Sequence, residues 1–427
     1  MTGRRIGIIG SGIGGLTAGY VLSRGDDVTL FEAAPRLGGH AHTHRVSGPD
    51  GRELLVDSGF IVHNTRTYPL FTRLLAELGV TVQPSEMSMS VSCAGCGLAY
   101  AGQRGPGGLA AGLRRGGPRY AWMLGEVLRF HRAARRLLAA DLDGADSGSR
   151  DQTLGEFLAA GRYSGYFISH FAMPFVAAVW SCPPDTALRY PARYLFAFLN
   201  QHGLLSVTGS PPWLTVAGGS ASYVERVAKQ LAVVRAGARV TRLRRLAAGA
   251  EVTFTDADGA QTQTFDAVVV ATHPDQALKL LADPTGAESE VLGAFRYSRN
   301  ETVLHTDTSV LPRSRAVSAS WNYALASCAP DGEVRVSYDM SRLQRLPGRT
   351  RYVVTLNAAR EIEPGQVIAR MNYEHPVYDP ASVAAQRRLP ELNDGQTAFA
   401  GAYHGWGFHE DGCRAGLAAA VSLGGRW

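Results

Sequence analysis

The sequence predicts an α/β fold with two domains, one of which is built on a Rossmann-type nucleotide-binding unit. Three observations support this prediction: the chain has 427 residues, it opens with a strand–helix–strand pattern, and β-type segments return after a long helical stretch. The length is about two to three times that of a typical domain. The chain is therefore long enough to enclose a large ligand within its core.

The first part of the sequence has the pattern of a βαβ unit of about thirty residues. We predict a strand over residues 5–9, a helix over residues 16–23 and a second strand over residues 28–32. A Gly-x-Gly-x-x-Gly motif lies between the first strand and the helix, and Glu32 ends the second strand. In this order of elements the motif indicates a dinucleotide site.

Each residue of the motif has its own physical role. Gly10 allows the tight turn, Gly12 lets a pyrophosphate approach the backbone, and Gly15 lets the helix pack closely on the strand. The helix N-terminus offers free N–H groups to phosphates, and Glu32 can accept hydrogen bonds from ribose hydroxyls. The candidate site in this unit comprises Gly10, Ser11, Gly12, Ile13, Gly14, Gly15, Glu32 and Ala33.

The middle of the sequence combines a hairpin with helices. Residues 87–92 and 98–101 are the predicted strands of the hairpin, with Cys93-Ala94-Gly95-Cys96 at its tip. This Cys-x-x-Cys pair is half of a zinc or redox motif, but a plain turn is the favoured interpretation, so we predict no metal site. We further predict a glycine-rich loop over residues 102–117 and mostly helical structure over residues 120–140 and 154–205.

Strand patterns dominate the remainder of the chain. A helix over residues 223–231 precedes them, and a helix of small residues over 412–423 follows them. The predicted strands cover residues 233–234, 238–243, 251–255, 267–271, 301–306, 334–338, 352–356 and 397–401.

Residues 31–44 read Phe-Glu-Ala-Ala-Pro-Arg-Leu-Gly-Gly-His-Ala-His-Thr-His. This Glu-x3-Arg-x-Gly-Gly extension resembles the flavin-containing amine oxidase and phytoene desaturase superfamily. The resemblance implies FAD as the cofactor, with Arg36, Gly38 and Gly39 along its pyrophosphate and ribityl chain and His40 next to them. No cysteine near Tyr403 matches the one that forms a thioether in some relatives, so we expect non-covalent FAD, with an 8α-histidyl bond from His40 as the alternative.

Further segments resemble later motifs of the same superfamily. Residues 56–60 and 238–240 resemble the segments that pass beside the flavin ring and the adenine, and residues 399–401 and 411–412 resemble the C-terminal flavin motif. The helix after Asp411-Gly412 could stabilise negative charge on the flavin. The cofactor-binding residues that this resemblance adds are Gly59, Phe60, Val240, Gly401, Asp411 and Gly412, and the candidate catalytic residues of the C-terminal loop are Tyr403, His404 and His409.

The sequence departs from the amine oxidases at three points. His40 stands where they usually carry arginine, and Ala402 stands where they usually carry an acidic residue. Lys229 and Lys279 do not fall at the position of the lysine that holds a water near flavin N5. These departures weaken the expectation of amine oxidation.

A narrower resemblance points toward lipids. Residues 305–307, 320–323, 337–340 and 407–412 are similar to a bacterial branch of predicted FAD-binding proteins. Genes of that branch often accompany cyclopropane-fatty-acid-synthase-like methyltransferases. The resemblance therefore implies an acyl chain as substrate and a methyltransferase as a partner.

Composition and charge exclude several other classes. The chain is 45% hydrophobic and 19% charged, with a formal net charge of +6, which does not indicate nucleic-acid binding. Five irregularly spaced cysteines favour a reducing compartment over a disulfide framework. Without a visible signal peptide or an apolar run of about 18 residues, we expect a cytoplasmic protein, with peripheral membrane contact as an addition.

Two clusters of charged or titratable residues have a functional and a structural interpretation. The alternating His40, His42 and His44 suit either a metal or a polar face near the FAD phosphates, and the polar face is favoured. The arginines and leucines of residues 120–140 suit either an interfacial helix or the solvated face of a packed helix, and the solvated face is favoured.

These inferences lead to one leading hypothesis and two rivals. We expect a discontinuous FAD-binding domain over residues 1–85, 210–280 and 385–427, and a substrate domain over residues 86–209 and 281–384, whose aromatic segment 167–198 forms an apolar pocket wall. The leading hypothesis is an FAD-dependent oxidoreductase that removes hydride from an apolar substrate, a fatty acyl chain, by desaturation or isomerisation. The rivals are an amine or amino-acid oxidase and a non-catalytic flavin-binding partner of a lipid methyltransferase.

Overall fold

A computed structural model describes residues 3–48, 51–140, 152–206, 210–329 and 334–427 of the chain. The predicted FAD-binding domain begins at residue 1, and the first segment of the predicted substrate domain ends at residue 209. Both of these residues lie outside the described ranges. Among the described residues, no helix combines the length and the apolar composition that crossing a membrane would require.

The strands of the described residues are distributed over five sheets. In chain order they are β1 (Arg5–Ile9), β2 (Asp27–Glu32), β3 (Thr43–Ser47), β4 (Glu53–Asp57), β5 (Val82–Pro84), β6 (Met89–Cys93), β7 (Ala99–Gly102), β8 (Leu214–Val216), β9 (Val233–Ala236), β10 (Arg239–Arg245), β11 (Ala250–Asp256), β12 (Gly259–Phe265), β13 (Ala267–Val270), β14 (Arg296–His305), β15 (Trp321–Leu325), β16 (Arg335–Asp339), β17 (Val353–Leu356), β18 (Val367–Val377) and β19 (Thr397–Phe399).

The described residues also form fourteen α-helices. They are α1 (Ile13–Leu22), α2 (Pro69–Glu77), α3 (Pro106–Ala139), α4 (Leu154–Ala160), α5 (Gly165–Phe167), α6 (Met173–Trp180), α7 (Pro184–Leu188), α8 (Ala192–Gln201), α9 (Ala221–Ala228), α10 (Pro274–Leu280), α11 (Gly286–Gly293), α12 (Met340–Leu343), α13 (Pro380–Gln386) and α14 (His409–Ser422). A π-helical turn, Ile168–Ala172, joins α5 to α6.

A five-stranded parallel sheet carries the nucleotide-binding unit. Its strand order is β19-β13-β1-β2-β9, and β1 pairs with both β13 and β2 along their lengths. Strands from distant parts of the chain thus meet in one sheet, and α1 and α14 pack against each other on it. The carboxyl ends of β1, β2 and β13 lie at the same edge, which is where ligands bind in open α/β sheets.

A seven-stranded mixed sheet forms the second layer. Its order is β18-β14-β17-β16-β15-β6-β7, and the helices between α3 and α8 share one hydrophobic core with it. The aromatic segment predicted as a pocket wall belongs to this core, which includes Phe130, Phe167, Trp180 and Phe198. The two sheets and their helices confirm the predicted two-domain α/β fold.

The structure corrects one prediction and adds strands that the sequence pattern did not reveal. Residues 102–117 were expected as a loop, but α3 begins at Pro106 and continues to Ala139, with a single non-helical residue at Gly117. The glycines of this stretch serve close packing: a Cβ at Gly108 would lie 2.5 Å from the carbonyl oxygen of Ala101, and one at Gly112 would overlap the ring of Tyr120. The sequence analysis missed strands β3, β4, β5, β8, β12, β15 and β18.

Candidate active site

The turn between β1 and α1 has the geometry that its glycines predict. Gly10 has a φ of +103°, and a Cβ there would lie 2.7 Å from the carbonyl oxygen of Ala271 on the neighbouring strand. A Cβ at Gly15 would overlap the carbonyl oxygen of Gly10, so α1 can approach β1 only because residue 15 is glycine. A Cβ at Gly12, in contrast, would meet nothing within 4 Å. The backbone of Gly12 thus faces open space.

The N-terminus of α1 is available to an anion. Its N-cap residue is Gly12, which has no side chain to satisfy the first N–H groups. Nearby, Glu32 accepts hydrogen bonds from the backbone N–H of Ser11 at 3.0 Å and from the backbone N–H of Ala34 at 2.9 Å. Its remaining acceptor capacity faces the cavity described next, where ribose hydroxyls could donate to it.

A continuous cavity of about 1140 Å³ runs from this turn into the helical layer. Cavities that hold drug-sized ligands have volumes of roughly 300–1,000 Å³, so this one has room for a dinucleotide together with part of a substrate. The residues of our sequence prediction that line it are Gly10, Ser11, Gly12, Ile13, Gly14, Glu32, Ala33, Gly38, Gly39, His40, Gly59, Phe60, Val240, Gly401, Tyr403 and His409.

Five other residues that we proposed for the site do not line this cavity. Gly15 and Gly412 lie at close backbone contacts, since a Cβ at Gly412 would lie 2.5 Å from Cγ2 of Ile13. Arg36 lines a separate small cleft, and its guanidinium reaches the carbonyl oxygens of Leu37 and Ala41 at 3.4 Å. The remaining two are Asp411 and His404.

Asp411 has a structural role at the start of α14. Its carboxylate accepts a hydrogen bond at 3.0 Å from the backbone N–H of Phe408, the N-cap residue, and pairs with Arg414 at 2.5 Å. Burial raises the pKa of Asp411 to about 6 despite these partners. The N-terminus of α14 lies against Gly14 of α1. The carboxylate of Asp411 is turned toward the start of its own helix, α14, where it accepts the N–H of Phe408.

His409 stacks on Phe60 in the wall of the cavity. The ring centroids are 3.6 Å apart, and Nε2 of His409 lies 3.0 Å from the hydroxyl of Tyr223. Burial lowers the pKa of His409 to about 3, so the ring is neutral at physiological pH. This geometry suits a residue that holds Phe60 in place, and a catalytic role for His409 stays a prediction, as it does for Tyr403 and His404.

A histidine and tyrosine network on β18 borders the cavity, and the sequence analysis did not place it there. The ring of His40 lies 5.0 Å from that of Tyr373 and 5.3 Å from that of His375. The hydroxyl of Tyr373 lies 2.9 Å from Nδ1 of His42 and 2.7 Å from Oγ of Ser58. His40 and His42 are thus partners of this strand, and the sequence analysis could not place them there because it did not predict β18.

Several buried polar atoms in the cavity wall lack a hydrogen-bond partner within the described residues. In the described part of the chain, four of them have neither a hydrogen-bond nor an ion-pair partner: Nε2 of His40, Nε2 of His131, Nε1 of Trp321 and Oη of Tyr403. A buried polar atom without a partner costs about 1–3 kcal/mol, which a bound molecule can recover. Together with the open space at Gly12 and the uncapped α1, these atoms fit a long, polar cofactor such as FAD.

The far end of the cavity is apolar. This end lies between α3, the α5–α6 segment, α8 and the seven-stranded sheet. Among the described residues that line the whole cavity, the acidic ones are Glu32 and Glu374. Glu374 is paired with Arg299 at 2.9 Å and with His273 at 3.2 Å. The apolar residues of this end include Met87, Met89, Val91, Leu109, Met123, Leu124, Val127, Leu128, Phe171, Phe175, Val179, Trp180, Phe198, Leu204, Trp213 and Leu356.

Comparison with known proteins relates this architecture to flavoenzymes. The chain is 29% identical over 284 residues to AofH of Mycobacterium tuberculosis, named a flavin-containing monoamine oxidase. The match covers 65% of this chain and 58% of AofH, so the chain matches less than two thirds of that relative's length.

Two solved structures share the fold at low sequence identity. A CLA-producing fatty acid isomerase from P. acnes superposes with a TM-score of 0.66 and 17% identity, over 98% of each chain. Cyclohexylamine oxidase from Brevibacterium oxydans superposes with a TM-score of 0.68 and 17% identity, over 99% of this chain and 98% of that one. At this identity, the likeness shows the fold alone.

The family described as flavin containing amine oxidoreductase matches residues 13–316. The match begins at the first residue of α1 and covers the helical layer and three strands of the seven-stranded sheet, β6, β7 and β14. Because it covers well over half of the sequence, and because the cavity fits the cofactor of that family, the chain belongs to the flavin-containing amine oxidoreductases.

Proposed function

We propose that the protein is an FAD-dependent oxidoreductase that acts on an apolar substrate, a fatty acyl chain. Bound FAD would supply a hydride acceptor: loss of a hydride to it and of a proton from the adjacent carbon to solvent would give a desaturated product, and return of the hydride to another carbon of an unsaturated chain would give an isomer. The residues of this chain contribute binding, orientation and exclusion of water. A site for hydride transfer needs few reactive side chains, which agrees with the neutral, buried His409.

The apolar character of the far cavity carries this proposal. An acyl chain gains about 0.8 kcal/mol for each buried CH₂ group, so a long apolar wall binds it without a specific polar partner. Phe171, Phe175 and Phe198 project from helical segments into this wall, where they can define the path of such a chain. The proposal therefore assigns the helical layer to the substrate and the Rossmann unit to FAD.

Amine oxidation is the second candidate, and the name of AofH favours it. An ammonium group entering an apolar cavity would need a carboxylate or an aromatic cage to offset its lost hydration. Glu374 is already held by Arg299 and His273, and Glu32 by Ser11 and Ala34. The cavity offers aromatic rings but lacks a further carboxylate among its described lining residues, which places amines second.

An anaerobic titration of the flavin absorbance distinguishes the two candidates. We expect linoleate or a phospholipid extract to bleach the flavin band or to be isomerised, while benzylamine and putrescine leave both the band and the substrate unchanged. Val179→Trp, which narrows the apolar cavity, should slow the lipid reaction at least about tenfold, since misplacement by about 1 Å can cost ~100-fold. Reduction by dithionite should be unaffected in this variant. Rapid bleaching by amines with an inert response to lipids would contradict the proposal.

Exposed residues of helix α3 line an opening of this cavity. Leu109 and Leu128 line the cavity and are also 43% and 44% exposed, so the cavity reaches the surface beside them. Leu113 and Trp122 are exposed on the same helix. Its arginines, Arg114, Arg115, Arg119, Arg129, Arg132, Arg135 and Arg136, are all exposed.

We propose that this face contacts anionic lipid surfaces. The single acidic residue of α3, Glu126, is buried and accepts hydrogen bonds from Ser164, so the exposed face of the helix is positive. Exposed leucine and tryptophan beside arginines are typical of helices that lie in the membrane interface. The methyltransferase partner implied by the resemblance stays a separate proposal, for which the described surface offers no specific support.

Trp122→Glu tests this contact. The change removes the most exposed large apolar side chain, at 71% exposure, and adds a negative charge. We expect binding to phosphatidylglycerol vesicles to weaken at least about tenfold in co-sedimentation, because an apolar anchor and an electrostatic attraction are both reduced. Val421→Glu is the matched control, since Val421 is 55% exposed on α14. Equal binding of both variants would show that α3 is an ordinary solvated helix.

A further inference from the structure

Three cysteines and one histidine meet beside the hairpin of the seven-stranded sheet. Cys93 ends β6, Cys96 lies in the turn before β7, Cys328 follows β15, and His170 belongs to the π-helical turn before α6. One ligand atom from each lies within 4.8 Å of every other: three Sγ atoms and one imidazole nitrogen. We will call these four residues the Cys3His cluster. Its location is separate from the lining of the cavity described above.

Two of the distances within the cluster match those of a tetrahedral zinc site. With Zn–S bonds of about 2.3 Å and a Zn–N bond of about 2.05 Å, the edges of a tetrahedron would be about 3.8 Å between two sulfurs and about 3.6 Å between sulfur and nitrogen. Sγ of Cys93 lies 3.9 Å from Sγ of Cys328, and Sγ of Cys96 lies 3.5 Å from Nε2 of His170. A disulfide would instead require about 2.05 Å.

The orientation of His170 is a second, independent indication of a metal. Its Nδ1 lies 3.0 Å from the carbonyl oxygen of Tyr166, which can only accept, so Nδ1 carries the proton. The tautomer that results leaves a lone pair on Nε2, the atom that faces Cys96. Histidines that bind metals commonly donate their other ring nitrogen to a carbonyl or carboxylate in this way. The ring of Tyr166 stacks on His170 at 4.2 Å and holds this orientation.

The backbone around the cysteines is arranged to present the thiols together. The N–H of Gly97 donates to the carbonyl of Cys93 at 2.9 Å, and the N–H of Ala94 donates to the carbonyl of Leu325 at 2.9 Å. Gly97 has a φ of +71°, which glycine adopts without strain. A Cβ at Gly95 would lie 3.0 Å from Cα of Ser327, so this glycine lets the loop after β15 approach the hairpin tip.

We propose that the Cys3His cluster binds one structural Zn²⁺ ion, which ties the hairpin, the loop after β15 and the π-helical turn to each other. Binding forms three Zn–S bonds and one Zn–N bond, and the three thiol protons are released to solvent, so no electrons are transferred. All four positions of the tetrahedron come from the protein, which leaves no open position for catalysis. The neighbouring Phe171 lines the cavity, so the ion would fix one wall of the substrate site.

Metal analysis of the full-length purified protein tests this inference directly. We expect about one zinc per chain after purification under reducing conditions, as for other Cys3His sites. Cys96→Ala should lower the zinc content at least about tenfold, because a four-coordinate site loses one of its thiolates. Cys182→Ala is the matched control, since Cys182 is a cysteine outside the cluster, and it should keep the zinc.

A second measurement remains informative if a variant fails to fold. The wild-type protein, stripped with a chelator and then titrated with Co²⁺ alone, should develop the visible bands of a tetrahedral thiolate site, and added Zn²⁺ should remove them and raise the Tm. Wild-type protein that is free of zinc and binds neither ion would overturn the proposal. A Cys93–Cys328 disulfide found by mass spectrometry after rapid alkylation would also overturn it. Neither readout depends on FAD or on the substrate, so the outcome is independent of the proposed function.

Discussion

Replacing Gly12 by valine is expected to give a folded protein that no longer retains FAD. The Cβ of residue 12 meets nothing within 4 Å, and the backbone of Gly12 has a φ of −63°, which valine can adopt. The added side chain therefore fits the empty protein but occupies the space in front of the α1 N-terminus, where a pyrophosphate would lie. We expect FAD to bind at least about 100-fold more weakly, which corresponds to ~2.7 kcal/mol, measured by fluorescence titration.

Two other glycines of the same unit supply the comparison. Gly15→Ala should lower both FAD retention and the free energy of unfolding, because its Cβ overlaps the carbonyl oxygen of Gly10. Gly25→Val should change neither, since a Cβ at Gly25 meets nothing within 4 Å and Gly25 does not line the cavity. If Gly12→Val bound FAD as tightly as Gly25→Val does, the turn would not be the pyrophosphate site.

The nucleotide end of the molecule could be predicted from sequence because its signals are local. The strand over residues 5–9 has the bounds predicted for it, and the second strand begins one residue earlier than predicted. The glycine spacing and Glu32 lie within about thirty consecutive residues, so one supersecondary unit determines their geometry. A resemblance to a family then extended this site to Gly59, Val240 and Gly401, which line the same cavity.

The rest of the site depends on contacts that no local pattern records. Tyr373 and His375 reach His40 only because β18 pairs with β14, and β18 was missed because its residues are half exposed and include Pro376. The Cys-x-x-Cys pair resembled half a motif because the other two residues are distant along the chain: His170 lies 74 positions from Cys96, and Cys328 lies 235 positions from Cys93. The helix before Gly117 was predicted as a loop because the segment is rich in glycine. Two of these glycines, Gly112 and Gly116, instead allow close packing against Tyr120.

Acid should destabilise this protein strongly between about pH 6.5 and pH 4, because its buried histidines must remain neutral in the folded state. Burial lowers the pKa of the ring to about 4 at four of these histidines and to about 3 at His409. Outside the Cys3His cluster, the buried histidines are His63, His131, His202, His305 and His409. Each one favours the folded state only while it is neutral.

The direction of this effect follows from proton binding. Below the ordinary histidine pKa of about 6.5, the unfolded chain binds protons that the folded state excludes, so stability present above that pH is lost as the pH falls. At about pH 5 each such residue accounts for ~2 kcal/mol. Asp57 and Asp411 act in the opposite direction, because burial raises both pKa values to about 6 and their stabilising effect is lost as the pH rises through that value. At about pH 5 these two aspartates together add only ~3 kcal/mol to the free energy of unfolding.

We therefore expect the free energy of unfolding to fall by at least about 3 kcal/mol from about pH 7.5 to about pH 5, measured by urea denaturation. His63→Leu isolates one contributor, because His63 is fully buried near Phe60 and Phe71 and neither ring nitrogen has a hydrogen-bond partner within the described residues. The variant should lose less stability than the wild type over the same interval, by about 2 kcal/mol, because leucine has no proton to bind in the unfolded chain. An identical pH dependence in the two proteins would mean that His63 is protonated in the folded state, and that water or an acidic group reaches it when the protein moves in solution.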